Sequence, residues 1–364
     1  MKKVFLNFGL IILSSVLFLL FMEIVSRIFL KSVQTHVVNK DGEIVSMQVE
    51  PGNPAAGLIP YFDGRMVSGE FDVSIRLNSQ GLRENVEFGG DNHGEPLQVI
   101  LLGDSFMFGW GVEFNQSFAS HLAKYLSTFT KQKVVVNTLA VPGTGQLSQL
   151  AILKRVSHPA PDIILTGMYL TDHVASGHDL IENLNEFHQF KSHSSKTQLT
   201  DDDNSKLDRL RQIRRWLKRH SNLFRYVETR LGAIFLAKFS RAIHLESDPQ
   251  VMESAWTLTD SILVELKESA REIRALFAIQ YIPNMLDVIQ NNLNPYDRLS
   301  AICDQRGIPI APNPIELFNP SVASGKISDY YYTGDGHWTT QAHEVAARFA
   351  AKFIAENIIR NKSN

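Results

Sequence analysis

The chain has 364 residues, of which 44% are hydrophobic and 20% are charged, and its formal net charge is −2. These values are ordinary for a globular protein that can bury a large core in one or two domains. The small net charge gives no electrostatic reason to expect a nucleic acid partner. Because Cys303 is the only cysteine, an intramolecular disulfide and a cysteine-based metal cluster are both excluded.

The N-terminus predicts a membrane anchor. Lys2 and Lys3 precede a stretch from Val4 to Met22 that contains no charged residue. At about 1.5 Å per residue, a helix of this length can cross a hydrocarbon core of ~30 Å. A cleaved signal peptide or a buried helix are the alternatives, but a signal peptide would have a shorter apolar region and a small-residue cleavage site. We therefore expect residues 1–30 to be an uncleaved transmembrane anchor with its N-terminus inside.

Residues 31–70 mix Gly, Pro and polar residues, which predicts a stalk or linker before the folded domain. The domain itself is expected over residues 71–360. Residues 71–77 alternate apolar and polar side chains as a half-buried strand does, and turn-forming residues follow at 78–81.

Strand-like and helix-like segments then alternate along the chain, which favours an α/β fold with a mainly parallel sheet and helices on both faces. The predicted strands are 98–102, 134–137, 162–167, 276–281 and 308–310, and the predicted helices are 117–126, 146–156, 254–275, 298–305 and 340–358.

The alternation breaks at about residues 185–250, which we interpret as a helical insertion in the domain. One predicted helix there has a basic face, which is typical of a solvated surface or of a site for an anionic glycan or lipid headgroups. Its basic residues are Lys206, Arg209, Arg211, Arg214, Arg215, Lys218 and Arg219.

The feature that carries chemistry is Gly103-Asp104-Ser105-Phe106, which directly follows the apolar run Val99–Leu102. This pattern predicts a buried strand that ends by presenting a serine hydroxyl, at the edge where open α/β sheets bind ligands. Far downstream, Asp335 and His337 supply an acid and a base. Serine needs such a base to attack a carbonyl, and the acid would orient the imidazole.

The oxyanion formed by such an attack needs hydrogen-bond donors. The backbone N–H of Ser105, at a tight turn into a helix, is one candidate. A glycine-containing turn over residues 141–145 could bring a second N–H close to the substrate. The segment 168–172, after the third strand of the domain, is placed to supply a side-chain donor.

These motifs resemble the SGNH (GDSL-like) hydrolase family, over residues 72–177 and 275–358 and in the family's block order. The resemblance implies a three-layer α/β/α, flavodoxin-like fold, with Ser105, His337 and Asp335 as the triad. It also implies that the N–H groups of Ser105 and Gly143, helped by the hydroxyl of Thr171, form the oxyanion hole. Thr171 stands where the family has an asparagine, and its hydroxyl has a shorter reach than an amide.

The segment Phe108-Gly109-Trp110-Gly111-Val112 further resembles membrane-tethered bacterial members of the family. Some of these act on O-acyl groups of surface polysaccharides, as esterases or transferases. This resemblance implies a single-pass protein of the bacterial inner membrane whose catalytic domain is periplasmic.

We therefore expect a membrane-anchored serine esterase that acts on O-acyl esters. The expected substrate is an O-acylated carbohydrate, foremost an O-acetylated one, and a lipid or another small ester comes second. No metal or organic cofactor is implied. The alternatives are a polysaccharide O-acyltransferase with the same triad and a non-catalytic binding or assembly protein with a weakened oxyanion hole.

Three further side chains have two interpretations each. Trp110 and Trp338 flank the nucleophile and the base in sequence, and they could line a substrate pocket or pack in the core. His343 is expected to pack within a helix or to lie at the surface. A metal site formed by Asp335, His337 and His343 is the weaker alternative, because it would lack a glutamate general base.

Overall fold

The computed structural model describes two compact units. One comprises Met1–His36, Ser68–Glu70 and Lys196–Ile243, and the other, here the α/β unit, comprises Val37–Val67, Phe71–Ser195 and His244–Asn364. The described residues are 14–15, 17–26, 35–50, 53–83, 96–155, 161–171, 179–194, 221, 223–224, 249–315, 318 and 326–359.

Two strands of a small three-stranded sheet lie in the region where a stalk was expected. Strands β1 (His36–Asn39), β2 (Asp63–Val67) and β3 (Asp72–Arg76) lie side by side in that order, with β2 and β3 antiparallel. Met66 and Ile75 are fully buried, and their neighbours along each strand are more exposed. The alternation of buried and exposed side chains explains why residues 37–67 fold with the domain and are not a linker.

The main sheet has four parallel strands in the order β5-β4-β6-β7. Their bounds are Leu97–Gly103 for β4, Val134–Ala140 for β5, Ile163–Leu170 for β6 and Leu276–Pro283 for β7. Every residue of β6 is buried, as expected for a central strand covered on both faces. The parallel α/β architecture predicted from the sequence is therefore confirmed.

The helices are α1 (Ser105–Phe108), α2 (Phe118–Thr130), α3 (Gln146–Arg155), α4 (Asp179–Ser194), α5 (Pro249–Glu272), α6 (Met285–Gln290), α7 (Asn294–Arg306) and α8 (Thr340–Phe353). Helices α2 and α8 pack together, and α3, α4 and α5 form a second group. Because β5 and β6 lie on opposite sides of β4, right-handed crossovers place α2 and α3 on opposite faces of the sheet.

Two predicted elements differ in detail. The predicted strand at 308–310 is only a bridge between Ile279 and Ile310. The last helix continues past Phe353 as a π-helical turn, Ile354–Ile359.

The expected anchor and the expected insertion are described only in part. The described residues of the expected anchor, 14–15 and 17–26, are helical. Within the described ranges, no helix combines the length and the apolarity that crossing a membrane requires. Of the expected insertion at 185–250, the first residues belong to α4 and the last begin α5, whereas the basic segment at 206–219 lies outside the described residues.

Candidate active site

Ser105 is presented by a tight strand-to-helix turn at the carboxyl end of β4. Asp104 caps α1, and its Oδ1 accepts a hydrogen bond of 2.9 Å from the N–H of Phe106. As the first residue of the helix, Ser105 has a backbone N–H without an acceptor inside the helix. The turn thus presents a hydroxyl and a backbone donor at the edge of the sheet where ligands bind.

Two glycines allow this turn to lie close to the sheet. A Cβ added to Gly103 or to Gly167, on the neighbouring strand β6, would lie 2.4 Å from Cγ of Met107. Met107 is fully buried. Its side chain therefore occupies the space that the two glycines leave, and this packing sets the height of α1 above the sheet.

Ser105, His337 and Asp335 form a hydrogen-bonded chain, as the sequence predicted. Nε2 of His337 lies 2.7 Å from Oγ of Ser105, and Nδ1 of His337 lies 2.5 Å from Oδ1 of Asp335. Since the carboxylate accepts the proton on Nδ1, Nε2 carries the lone pair that faces the serine hydroxyl. The arrangement can remove the proton of Ser105 and stabilise the imidazolium that results.

The turn that carries the acid and the base depends on Gly336. This residue has a φ of +90°, which side chains with a Cβ rarely adopt. Its N–H donates to the carbonyl of Tyr332, and the N–H of Tyr332 donates to the carbonyl of His337. The closed turn brings Asp335 and His337, two residues apart, onto the same side.

Aromatic rings hold the imidazole in place. The His337 ring lies 4.8 Å from that of Phe106 and 5.8 Å from that of Trp110. Trp338 is fully buried and packs edge-on against Phe106. The hypothesis that Trp338 lines a substrate pocket is therefore wrong, because consecutive residues of this segment point in opposite directions, one to the cleft and one to the core.

A cleft of about 390 Å³ opens above the triad. Its lining includes the nucleophile turn, the base turn and residues that follow three other strands. The lining residues are Asp104, Ser105, Phe106, Gly143, Thr144, Tyr169, Asp179, Glu182, Asn284, Met285, Leu286, Asp335, Gly336 and His337. Trp110 supports the base from outside this lining.

Gly143 lies in the cleft, as the resemblance implied. Its φ is +77°, and no atom lies within 4 Å of the position that a Cβ would take. The hydroxyl of Thr144 donates to the carbonyl of Val141, at 2.7 Å, and lies 3.2 Å from the carbonyl of Gly103, which accepts the N–H of Val141. This fixes the glycine turn to the end of β4, beside the nucleophile.

Thr171 is not a lining residue of the cleft. Strand β6 runs to Leu170, three residues beyond the predicted end, and Thr171 is buried just after it. Tyr169 and Asn284 occupy the cleft instead. A donor role for Thr171 stays a prediction. An Asn followed by a short helix after the last strand was the available sequence signal for Asn284, which caps α6.

Four carboxyl groups line the cleft: Asp104, Asp179, Glu182 and Asp335. Burial raises the pKa of Asp104 to about 6, although the hydrogen bond from Phe106 and the proximity of His337 act in the opposite direction. Burial, together with the charge of Asp104, raises the pKa of Asp179 well above its ordinary value. Oδ2 of Asp179 accepts hydrogen bonds from the N–H of Tyr169 and the side chain of Gln146.

Arg83, which the sequence analysis did not single out, braces the loop after α1. Its buried guanidinium donates to the carbonyls of Phe108, Gly109 and Val112 and to that of Ser74 in β3. Burial lowers its pKa to about 10. The small sheet is thereby connected to the segment that follows the nucleophile.

His343 is buried within α8, as expected, and its ring lies edge-on to Trp338. Burial lowers its pKa to about 3. It does not line the cleft with His337, and no group of three potential ligand residues able to hold a metal ion occurs among the described residues.

Neither a family model nor a curated protein matches the chain. Among solved structures, it is similar to a lipase from a goat rumen metagenome, with 13% identity, a TM-score of 0.40, and 71% and 97% of the two chains covered. A psychrotrophic esterase from a Pseudoalteromonas species has 10% identity and a TM-score of 0.37, with 74% and 100% covered. An esterase of the SGNH-hydrolase family has 11% identity and a TM-score of 0.33, with 62% and 80% covered. These values alone assign neither substrate nor activity to this chain.

Proposed function

We propose that this chain is a serine ester hydrolase of the SGNH type, with Ser105 as nucleophile, His337 as base and Asp335 as the group that orients it. The observation that carries the proposal is the continuous hydrogen-bonded chain from Oγ of Ser105 through the imidazole to Asp335, at 2.7 and 2.5 Å. It opens into a cleft at the carboxyl ends of parallel strands.

The reaction follows from these contacts. Oγ of Ser105 attacks the ester carbonyl while Nε2 of His337 takes its proton. The N–H groups of Ser105 and Gly143 stabilise the oxyanion. When the intermediate collapses, the imidazolium returns the proton to the leaving alcohol, and the acyl group remains on Ser105. A water molecule then attacks the acyl-enzyme, again with His337 as base, and releases the acid.

The cleft lining favours a small acyl group on a polyhydroxylated alcohol. A volume of about 390 Å³ lies at the small end of ligand pockets, which range over ~300–1,000 Å³. The lining includes carboxyl and amide groups, among them Asp179, Glu182 and Asn284. Such groups can accept hydrogen bonds from sugar hydroxyls or donate to them. The proposed substrate is an O-acyl, foremost an O-acetyl, carbohydrate ester.

The proposal includes a membrane anchor at residues 1–30 and an extracytoplasmic catalytic domain. The uncharged stretch from Val4 to Met22 supports it. Within the described part of that stretch, Leu17, Phe18, Leu19, Leu20 and Phe21 are all more than half exposed. Consecutive exposed apolar residues on every side of a helix are suited to lipid contact.

The test uses the full chain in detergent with O-acetylated oligosaccharides, alone and with an excess of unacetylated oligosaccharide as acceptor. Released acetate and acceptor mass are measured for the parent and for Ser105→Ala. Acetate release by the parent and its loss in the variant support an esterase. Acetyl groups appearing on the acceptor would identify a transferase that uses the same acyl-enzyme. No turnover of either kind by folded parent protein would overturn the proposal.

A further inference from the structure

The segment 168–172, which was expected to supply a side-chain oxyanion donor, places a tyrosine in the cleft. Tyr169 lies near the carboxyl end of β6 and lines the same cleft as Ser105, Gly143 and His337. Its ring packs 4.8 Å from that of Phe106, which in turn lies 4.8 Å from the His337 ring. The N–H of Tyr169 donates to Oδ2 of Asp179, at 2.9 Å, so both its backbone and its ring are held.

The hydrogen bonds of Asn284 determine whether the hydroxyl of Tyr169 donates or accepts in the bond between them. Oδ1 of Asn284 accepts a hydrogen bond of 2.8 Å from the N–H of Leu286 and caps α6. The other end of this amide is therefore Nδ2, and it lies 2.5 Å from the Tyr169 hydroxyl. An amide NH₂ can only donate. The hydroxyl oxygen must accept this bond, so its own proton is directed elsewhere.

We propose that Tyr169 is the third oxyanion donor of this site, with Asn284 as the positioning residue that turns its hydroxyl proton toward the cleft. The inference rests on the proposed ester hydrolysis. Burial raises the pKa of Tyr169, so the hydroxyl retains its proton and remains a donor throughout the working pH range. The donor is a neutral hydroxyl carried by a rigid ring, in place of the side chain of Thr171.

Tyr169→Phe removes the hydroxyl and keeps the ring that packs on Phe106. Loss of one oxyanion donor lowers kcat by about 10²–10³, and we expect that loss with little change in KM. The same comparison is made with the thionoester of the substrate, whose sulfur is a weaker hydrogen-bond acceptor. The effect of Tyr169→Phe on kcat should be much smaller there, which a merely structural role would not produce.

Asn284→Asp provides the matched test of the positioning role. A carboxylate still caps α6 through one oxygen, but its second oxygen accepts the tyrosine proton and withdraws it from the cleft. We expect kcat to fall about as far as in Tyr169→Phe. In the Tyr169→Phe background, Asn284→Asp should lower kcat little further, because the two residues act as one unit. A direct effect of the added charge on the reaction would persist in that background.

The outcomes separate the two proposals. If the parent hydrolyses esters and Tyr169→Phe leaves kcat unchanged, the donor role is overturned and the ester hydrolase stands. If Asn284→Asp lowers kcat equally in both backgrounds, the positioning role of Asn284 is overturned. A folded parent that turns over no ester overturns the proposed function, and the donor role with it.

Discussion

Asp104 combines a structural role with an unfavourable buried charge. Its carboxylate accepts the N–H of Phe106 and so fixes the turn that presents Ser105. Nearly complete burial at the same time disfavours its ionised form and raises its pKa to about 6. Ionisation of this carboxyl therefore lowers the stability of the folded protein.

Asp104→Asn should make the protein more stable at neutral pH. The amide oxygen keeps the cap, and the buried charge is removed. Because the pKa of the folded state lies above that of the unfolded state, the folded protein binds the proton more tightly, and this contribution to stability is lost as the pH rises through about 6. A shift of this size corresponds to about 3 kcal/mol.

The stability gained by the variant over the parent should therefore grow between pH 4 and pH 6, roughly the interval between the unfolded and folded pKa values, and stay constant above it. Urea unfolding of both proteins at several pH values measures it. A difference that is the same at every pH would contradict this account of Asp104.

At the scale of elements, the height of α1 above the sheet depends on three residues of different segments. Gly103 ends β4, Gly167 faces it from β6, and the side chain of Met107 fills the space between helix and strands. Since Ser105 belongs to the same short helix, this packing determines its distance from His337. A change in this packing is therefore expected to move Ser105.

Gly167→Ala should lower kcat by misplacing Ser105. The new methyl group would lie 2.4 Å from Cγ of Met107, so the helix must rise or the side chain must move. Overpacking of this kind typically costs about 1–3 kcal/mol of stability. The double variant Gly167→Ala/Met107→Ala makes room for the methyl group and should recover part of kcat. Turnover of both proteins is compared with that of Met107→Ala alone, and a double variant as slow as Gly167→Ala would contradict the packing argument.

At the scale of the whole molecule, the sequence was most informative where the chemistry is local. A serine directly after a buried strand and an Asp-Gly-His turn can each be recognised within a few residues, and the structure brings them together as predicted. The pairing of Tyr169 with Asn284 could not be recognised in this way, although Asn284 alone has a local signal as a helix cap. They belong to β6 and the start of α6, and they meet only because parallel strands end at one edge of the sheet.

The features that the sequence does not reveal have related physical causes. The resemblance points to Thr171 because it stands where the family has an asparagine. It does not show that β6 continues to Leu170, so that Tyr169 is still in the strand. Arg83 was overlooked because its partners are backbone carbonyls, which leave no sequence pattern. The Gly and Pro content of residues 31–70 predicts a stalk, although the short strands β1 and β2 lie between those residues.

The most direct test of the central claim, that Ser105 is an activated nucleophile, is labelling of the full chain in detergent with a fluorophosphonate probe. Intact mass is measured for the parent and for Ser105→Ala, with circular dichroism to confirm that both are folded. The account predicts one adduct on the parent and none on the variant. An unlabelled but folded parent, or equal labelling of the two proteins, would contradict it.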